Sequence, residues 1–198
     1  MIEFFLASSN AQKCKEFEEM APNLTIRTLD DFDAVEDGKS YEENAKIKVL
    51  TLQSLLRKKG LDTSKYVLFS DDSGLEIASM PNELGLHTAR FMGNIPQTEK
   101  NKAIVERLKG KSDKSAFFIC TICFIALDSA PRFLTGRVDG RINDKVLGLK
   151  GFGYDPVFIP NGYDKTYSEL GDEFKNISSH RAIAFHSMLN ILKKEGVI

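Results

Sequence analysis

Short β-like runs alternate with helix-like stretches along this chain, and that alternation favours an α/β architecture over a helical bundle or a β-sandwich. Ile2 to Ala7 reads as a strand and Ala11 to Met20 as the helix after it, with a second short strand from Thr25 to Leu29. Ser40-Tyr41-Glu42-Glu43 is a capping box opening a helix to about Lys59, closed by Gly60 in the usual C-terminal position. Tyr41, Ala45, Val49, Leu52 and Leu56 form its apolar stripe. Tyr66 to Phe69 is the next strand, and Ile104 to Leu108 belongs to a helix ending near Gly110. Ala116 to Leu127 and Phe133 to Ile142 flank the turn Ser129-Ala130-Pro131, so an antiparallel hairpin is expected and the twisted central sheet should be mixed. A last helix runs from about Ser179 to Lys194.

A chain of 198 residues, 42% of them hydrophobic, buries enough core for one domain over residues 1–198 or for two lobes sharing a sheet. Lys plus Arg (27) nearly balance Asp plus Glu (28), so no polyanion-binding surface and no nucleic-acid partner is expected; anion binding must be local. In the opening MIEFFLASSN, Glu3 replaces a cationic leader, and the apolar run is too short for a signal peptide or a membrane span. A cytoplasmic protein without a membrane partner is the expectation.

Three cysteines, an odd number, argue against a disulfide framework. Cys120 and Cys123 match the C-x-x-C pattern, but they lie inside a strand, where positions three apart point to opposite faces. They read as core residues rather than a redox or zinc pair.

The chemistry gathers in five places. Ser8-Ser9-Asn10-Ala11-Gln12-Lys13 takes a strand end into a helix start, which suits an anion; the competing reading is an ordinary Asn10 cap beside a solvated lysine. Asn44 and Lys48 stand one turn apart on the capped helix, and Glu36 in the preceding acidic loop offers a hard-cation ligand. Asp71-Asp72-Ser73-Gly74 follows an apolar strand, where carboxylates need a compensating cation. In extended geometry the two aspartates point to opposite sides, and Asp72, beside an expected tight turn at Gly74, is the one chosen for metal and water. In Gly148-Leu149-Lys150-Gly151-Phe152-Gly153-Tyr154-Asp155-Pro156 the glycines admit a flat ligand, on which Phe152 could stack while Asp155 accepts from its N–H. Lys175-Asn176-Ile177-Ser178-Ser179-His180-Arg181 opens the last helix and places two cationic side chains where they oppose the helix dipole, which a bound acceptor would explain.

In order, S-S-N-x-x-K, Y-E-E-N-A-x-x-K, D-D-S-G-L, T-A-R-F, G-F-G-Y-D-P and S-H-R resemble the inosine/xanthosine triphosphate pyrophosphatase family over nearly the whole chain. The resemblance implies a homodimeric α/β protein, two lobes around a deep substrate cleft, and Mg²⁺-dependent cleavage of non-standard purine nucleoside triphosphates (ITP, dITP, XTP) between the α and β phosphates. By match it implies Ser8, Ser9, Asn10, Lys13, Asn44 and Lys48 for the phosphates, Asp72 as metal ligand and water activator, and Glu36 as second metal ligand, with Asp33 or Asp37 as substitutes. Ser73, Phe152, Gly153, Tyr154, Asp155, Lys175, His180 and Arg181 are implied in binding the substrate and its base. Lys13, Lys48 and Asp72 form the expected catalytic set, with Ser9 standing where glycine is commoner. A pyrimidine-directed pyrophosphatase of similar fold and a non-catalytic nucleotide-binding module are the rival readings.

Overall fold

The computed structural model describes residues 2–30, 32–148 and 150–198; Leu149 of the glycine-rich motif lies outside the described residues. The elements are β1 (Glu3–Leu6), α1 (Ala11–Met20), β2 (Ile26–Thr28), α2 (Tyr41–Lys58), β3 (Tyr66–Ile77), α3 (Gln97–Arg107), β4 (Ser115–Ala126), β5 (Arg132–Ile142), β6 (Phe158–Pro160), α4 (Tyr167–Leu170), α5 (Asp172–Ser178) and α6 (His180–Lys194). Single 3₁₀ segments span Thr63–Lys65 and Gly85–Arg90. The described strands bond in the order β2-β1-β3-β4-β5-β6. Because β1 is parallel to both β2 and β3 whereas β5 and β6 are antiparallel, the sheet is mixed, as the alternation and the hairpin require.

Two compact units divide the chain, one of Met1–Asp72, Cys120–Gly136 and Arg181–Ile198, the other of Ser73–Ile119 and Arg137–His180. In the first, period-two alternation sorts the strand residues onto two buried faces. Phe4, Leu6, Val67, Phe69, Cys120, Ile122 and Phe124 pack with Phe17 of α1 and Phe185 and Met188 of α6. Phe5, Ala7, Leu68, Cys123 and Ile125 pack with Ala45, Val49, Leu52 and Leu56 of α2. Phe17 meets Phe69 and Phe185 edge-on at 5.1 and 4.9 Å between centroids, and Phe17→Ala should cost about 3–5 kcal/mol. Ser70 Oγ donates to the Ala45 carbonyl at 2.5 Å, tying β3 to α2. Cys120 and Cys123 fall in different clusters, as strand geometry demands. Burial pushes the Cys123 thiol up to about 12 and Cys120 higher still, so both are inert.

The second unit packs Leu75, Ile77, Ile104, Leu108, Phe118, Ile142, Val157, Phe158 and Tyr167 together. Phe158 and Tyr167 stack at 5.6 Å.

Two expectations change, and three short elements are added. β3 does not end at Phe69 but carries Asp71, Asp72 and Gly74 through to Ile77, with no tight turn at Gly74. The capping box is displaced: Ser40 Oγ accepts from Glu43 N, but the Glu43 carboxylate accepts from Lys39 N, one residue early. The segments between the hairpin and the last helix hold β6, α4 and α5, of 3, 4 and 7 residues, too short to show a period. Gly60 closes α2 at φ +80° as read. Among the described residues no helix is long and apolar enough to cross a membrane.

Candidate active site

The adjacent aspartates of β3 point to opposite sides and meet different cations. Asp71 Oδ2 lies 2.9 Å from Lys13 Nζ and accepts from Arg181 Nε and Nη2 at 3.3 and 3.2 Å. Arg181 also donates through Nη1 to Glu16 of α1. Burial by itself pushes the Asp71 carboxyl up, but Lys13 and Arg181, with Lys48 further off, outweigh it and hold it well below the usual carboxylate range. These cations let a carboxylate sit inside a strand, and they explain why β3 runs on. Removing one partner of such a buried pair costs about 3–5 kcal/mol, because the other charge stays behind.

Asp72 belongs to a second cluster. Its Oδ2 accepts from Asn44 Nδ2 at 3.1 Å and its Oδ1 from Lys48 Nζ at 3.3 Å, while Lys48 Nζ also reaches Glu36 Oε2 at 3.1 Å. Asn44 and Lys48 face this point together because they are one turn apart on α2. The Gly38 N–H donates to Asn44 Oδ1 at 2.9 Å, and a Cβ at Gly38 would stand 2.7 Å from that oxygen, so glycine lets the acidic loop fold onto the helix. Of the loop carboxylates it is Glu36 that meets Lys48; Asp33 and Asp37 are exposed.

Lys48 is only 6% exposed. Burial lowers its pKa, yet Asp71, Asp72 and Glu36 more than offset this and the ammonium is held firmly charged. Asp72 shifts upward, since burial outweighs Lys48 and the Asn44 hydrogen bond. Two carboxylates thus converge on one cation. Among the described residues no three His, Cys, Asp or Glu side chains gather to cage a metal. A pair of hard oxygen donors fits Mg²⁺, which keeps several waters and is usually held by one or two carboxylates plus substrate phosphates.

At the opening motif, Asn10 Oδ1 accepts from Gln12 N and Lys13 N at 3.0 and 3.2 Å, so the ordinary cap is present. Ser8 Oγ accepts from Asn10 N, and Ser9 is exposed. The lysine is not the solvated one of that reading: it turns onto Asp71.

The second unit holds a separate group. Asp155 Oδ2 accepts from Lys175 Nζ at 2.5 Å and from the backbone N–H of Phe152 at 2.8 Å, and Lys175 Nζ lies 4.5 Å from the centre of the Phe152 ring. The Asp155 oxygen, expected from the sequence to accept from a ligand, organises its own loop. Gly151, at φ +75°, admits it: a Cβ there would come 2.4 Å from that oxygen. Tyr154 is buried and its hydroxyl donates to the Thr88 carbonyl at 3.0 Å. Ser73 is half-buried on β3. His180 stacks on Phe118 at 4.7 Å and 8° between ring planes.

Helix α6 does begin at His180, with Arg181 next, as read. Their side chains part company, however, because the Arg181 guanidinium is held by Asp71 and Glu16 while His180 lies on Phe118. From the sequence both are expected at the base, and no role is expected for Asp71, Glu16 or Phe118; the doublet Asp71-Asp72 is the visible signal for the first, and nothing local marks the other two.

Comparison with known proteins matches residues 4–191 to the Ham1 family. Over 202 aligned positions the chain is 36% identical to the dITP/XTP pyrophosphatase of Clostridium perfringens, covering 98% of each chain. Among solved structures it is similar to the Ham1 protein of Staphylococcus aureus (TM-score 0.81, 31% identity, 98% of this chain and 99% of that one). A HAM1 protein from Coxiella burnetii is equally similar (TM-score 0.81, 32% identity, 98% and 100%).

Proposed function

The chain belongs to the Ham1 family, and from that premise we infer that it hydrolyses non-standard purine nucleoside triphosphates such as dITP, XTP and ITP to the monophosphate and pyrophosphate. The observation that carries the chemistry is the convergence of Glu36 and Asp72 on Lys48 beside a second lysine cluster at Asp71. Glu36 and Asp72 would hold Mg²⁺, which when bound supplies positive charge against the triphosphate. Lys13 and Lys48 neutralise charge developing on the pyrophosphate leaving group. Asp72, whose pKa burial raises, takes the proton of the attacking water at Oδ1, while Asn44 holds Oδ2 and fixes the carboxylate plane. Ser8, Ser9 and Asn10 line the start of α1 on the phosphate side of this reading.

For the base, Phe152 supplies the stacking face, braced by Lys175 and Asp155, with Gly153, Tyr154 and Ser73 completing the walls. His180 donates toward a 6-keto oxygen, and an amino group in its place would leave that donor unpaired. Arg181, engaged by Asp71 and Glu16, holds the Lys13 cluster and the start of α6 rather than touching the base. The working protein is taken as a cytoplasmic homodimer. Pyrophosphate release measured over dITP, XTP, ITP, ATP and dTTP, with and without Mg²⁺, tests this reading. Turnover confined to the keto purines and abolished by chelation supports it, whereas preference for dTTP or indifference to chelation counts against it.

A further inference from the structure

The loop that carries Phe152 lies between two glycines in left-handed conformation, Gly151 at φ +75° and Gly153 at φ +63°. Glycine adopts either sign of φ with little preference, so such a backbone depends on hydrogen bonds to hold it, and within the loop the Asp155 carboxylate fixes the Phe152 N–H but not the Gly153 carbonyl. Outside this loop stands a buried amide that the reaction described above does not use. Asn101 of α3 is 2% exposed, and its Nδ2 donates to the Gly153 carbonyl at 3.0 Å. Its Oδ1 accepts from Gln97 Nε2, one turn earlier, at 3.1 Å. The Gly153 carbonyl can only accept, so the donor end of the Asn101 amide faces the loop, and Gln97 holds the other end.

The next residue is anchored by its own side chain, since the Tyr154 hydroxyl donates to the Thr88 carbonyl and is also hydrogen-bonded by Gln97. Thr88 Oγ1 in turn accepts from Leu75 N at 3.0 Å and donates to the Gly85 carbonyl at 2.6 Å. Tyr154 thus fixes the far side of the loop to a segment that is itself hydrogen-bonded. Among the described residues it is Asn101 that grips the Gly153 carbonyl, directly after the stacking residue.

We propose that Asn101 is a positioning residue for base binding, which holds the Gly153 peptide and through it the ring plane of Phe152. It touches no substrate and acts only through that loop. The inference rests on the reading of Phe152 as the base-stacking residue. Losing Asn101 should weaken purine triphosphates through KM, keto and amino alike, since a displaced stack does not discriminate at the 6-position. The size should be about three- to tenfold, the value of one neutral hydrogen bond.

The experiment is a double-mutant cycle in the full-length protein, using Asn101→Leu and Phe152→Ala, with Asn101→Ser as the smaller replacement should leucine not fold. Steady-state kinetics with ITP and ATP are read beside thermal melts. The expected result is a folded Asn101 variant with raised KM and nearly unchanged kcat, and a double variant no worse than Phe152→Ala alone. A merely structural Asn101 would add its loss to that of Phe152→Ala, and additivity, or an unchanged KM in a folded variant, overturns the proposal. If Phe152→Ala is itself silent, the base-stacking reading fails and takes this inference with it; a costly Phe152→Ala beside an additive Asn101 variant removes this inference alone.

Discussion

Asp71 and Asp72 are neighbours on β3 yet hold different lysines, Asp71 Oδ2 at 2.9 Å from Lys13 Nζ and Asp72 Oδ1 at 3.3 Å from Lys48 Nζ. A strand turns successive side chains to opposite faces, so one doublet serves two clusters. The two carboxylates should therefore fail differently when neutralised.

Asp72→Asn keeps the shape and a hydrogen-bonding side chain but removes the charge that takes a proton and faces the metal position. Turnover should fall by about two decades or more with the melting temperature little changed. A variant with near-normal kcat would remove Asp72 from the chemistry.

Asp71→Asn should act on stability first, because it leaves the buried Arg181 and the half-buried Lys13 beside an uncharged amide; the cost is about 3–5 kcal/mol. Its pH dependence follows from the depressed folded-state pKa, which burial opposes and Lys13 and Arg181 impose. With an unfolded value of about 3.9, the stabilisation is complete above that pH and is lost as the pH falls through the lower folded value. Melting temperature plotted against acid pH should therefore fall more steeply for the unmodified chain than for Asp71→Asn. Parallel curves would mean that Asp71 carries no such linkage.

Lys13→Ala should raise the barrier for triphosphate hydrolysis while barely altering affinity for the monophosphate product, since its charge answers the leaving group. It also strips Asp71 of one partner, so melting is measured alongside. Equal losses for triphosphate and monophosphate would place Lys13 away from the leaving phosphates.

His180 and Arg181 are adjacent in sequence but should separate cleanly in function. His180→Leu should narrow the ratio of kcat/KM for ITP over ATP, because the donor that an amino group leaves unpaired is gone. Arg181→Met should leave that ratio alone and lower the melting temperature instead, through Asp71 and Glu16. The reverse pattern would return Arg181 to the base.

What could be read in advance follows from the range of the forces involved. The short apolar run from Ile2 to Ala7 is legible as a strand, period-two geometry makes the Cys120/Cys123 split legible, and an i, i+4 step puts Asn44 beside Lys48. The end of β3 is not legible in the sequence because the rule that carboxylates leave strands is local, whereas the cations that suspend it come from α1 and from α6 at the other end of the chain. The same long range hid Arg181, whose place in the first turn of α6 gives its position but not its partners. Asn101 carried no motif at all; its meaning lies in a carbonyl of a distant loop.

The account rests most heavily on where the triphosphate is cut. Phosphorus NMR of dITP turned over by the full-length protein with Mg²⁺ should show one pyrophosphate and one nucleoside monophosphate for each substrate consumed, with no diphosphate intermediate. Accumulation of dIDP and inorganic phosphate would contradict it, because the bond broken would then be the terminal one.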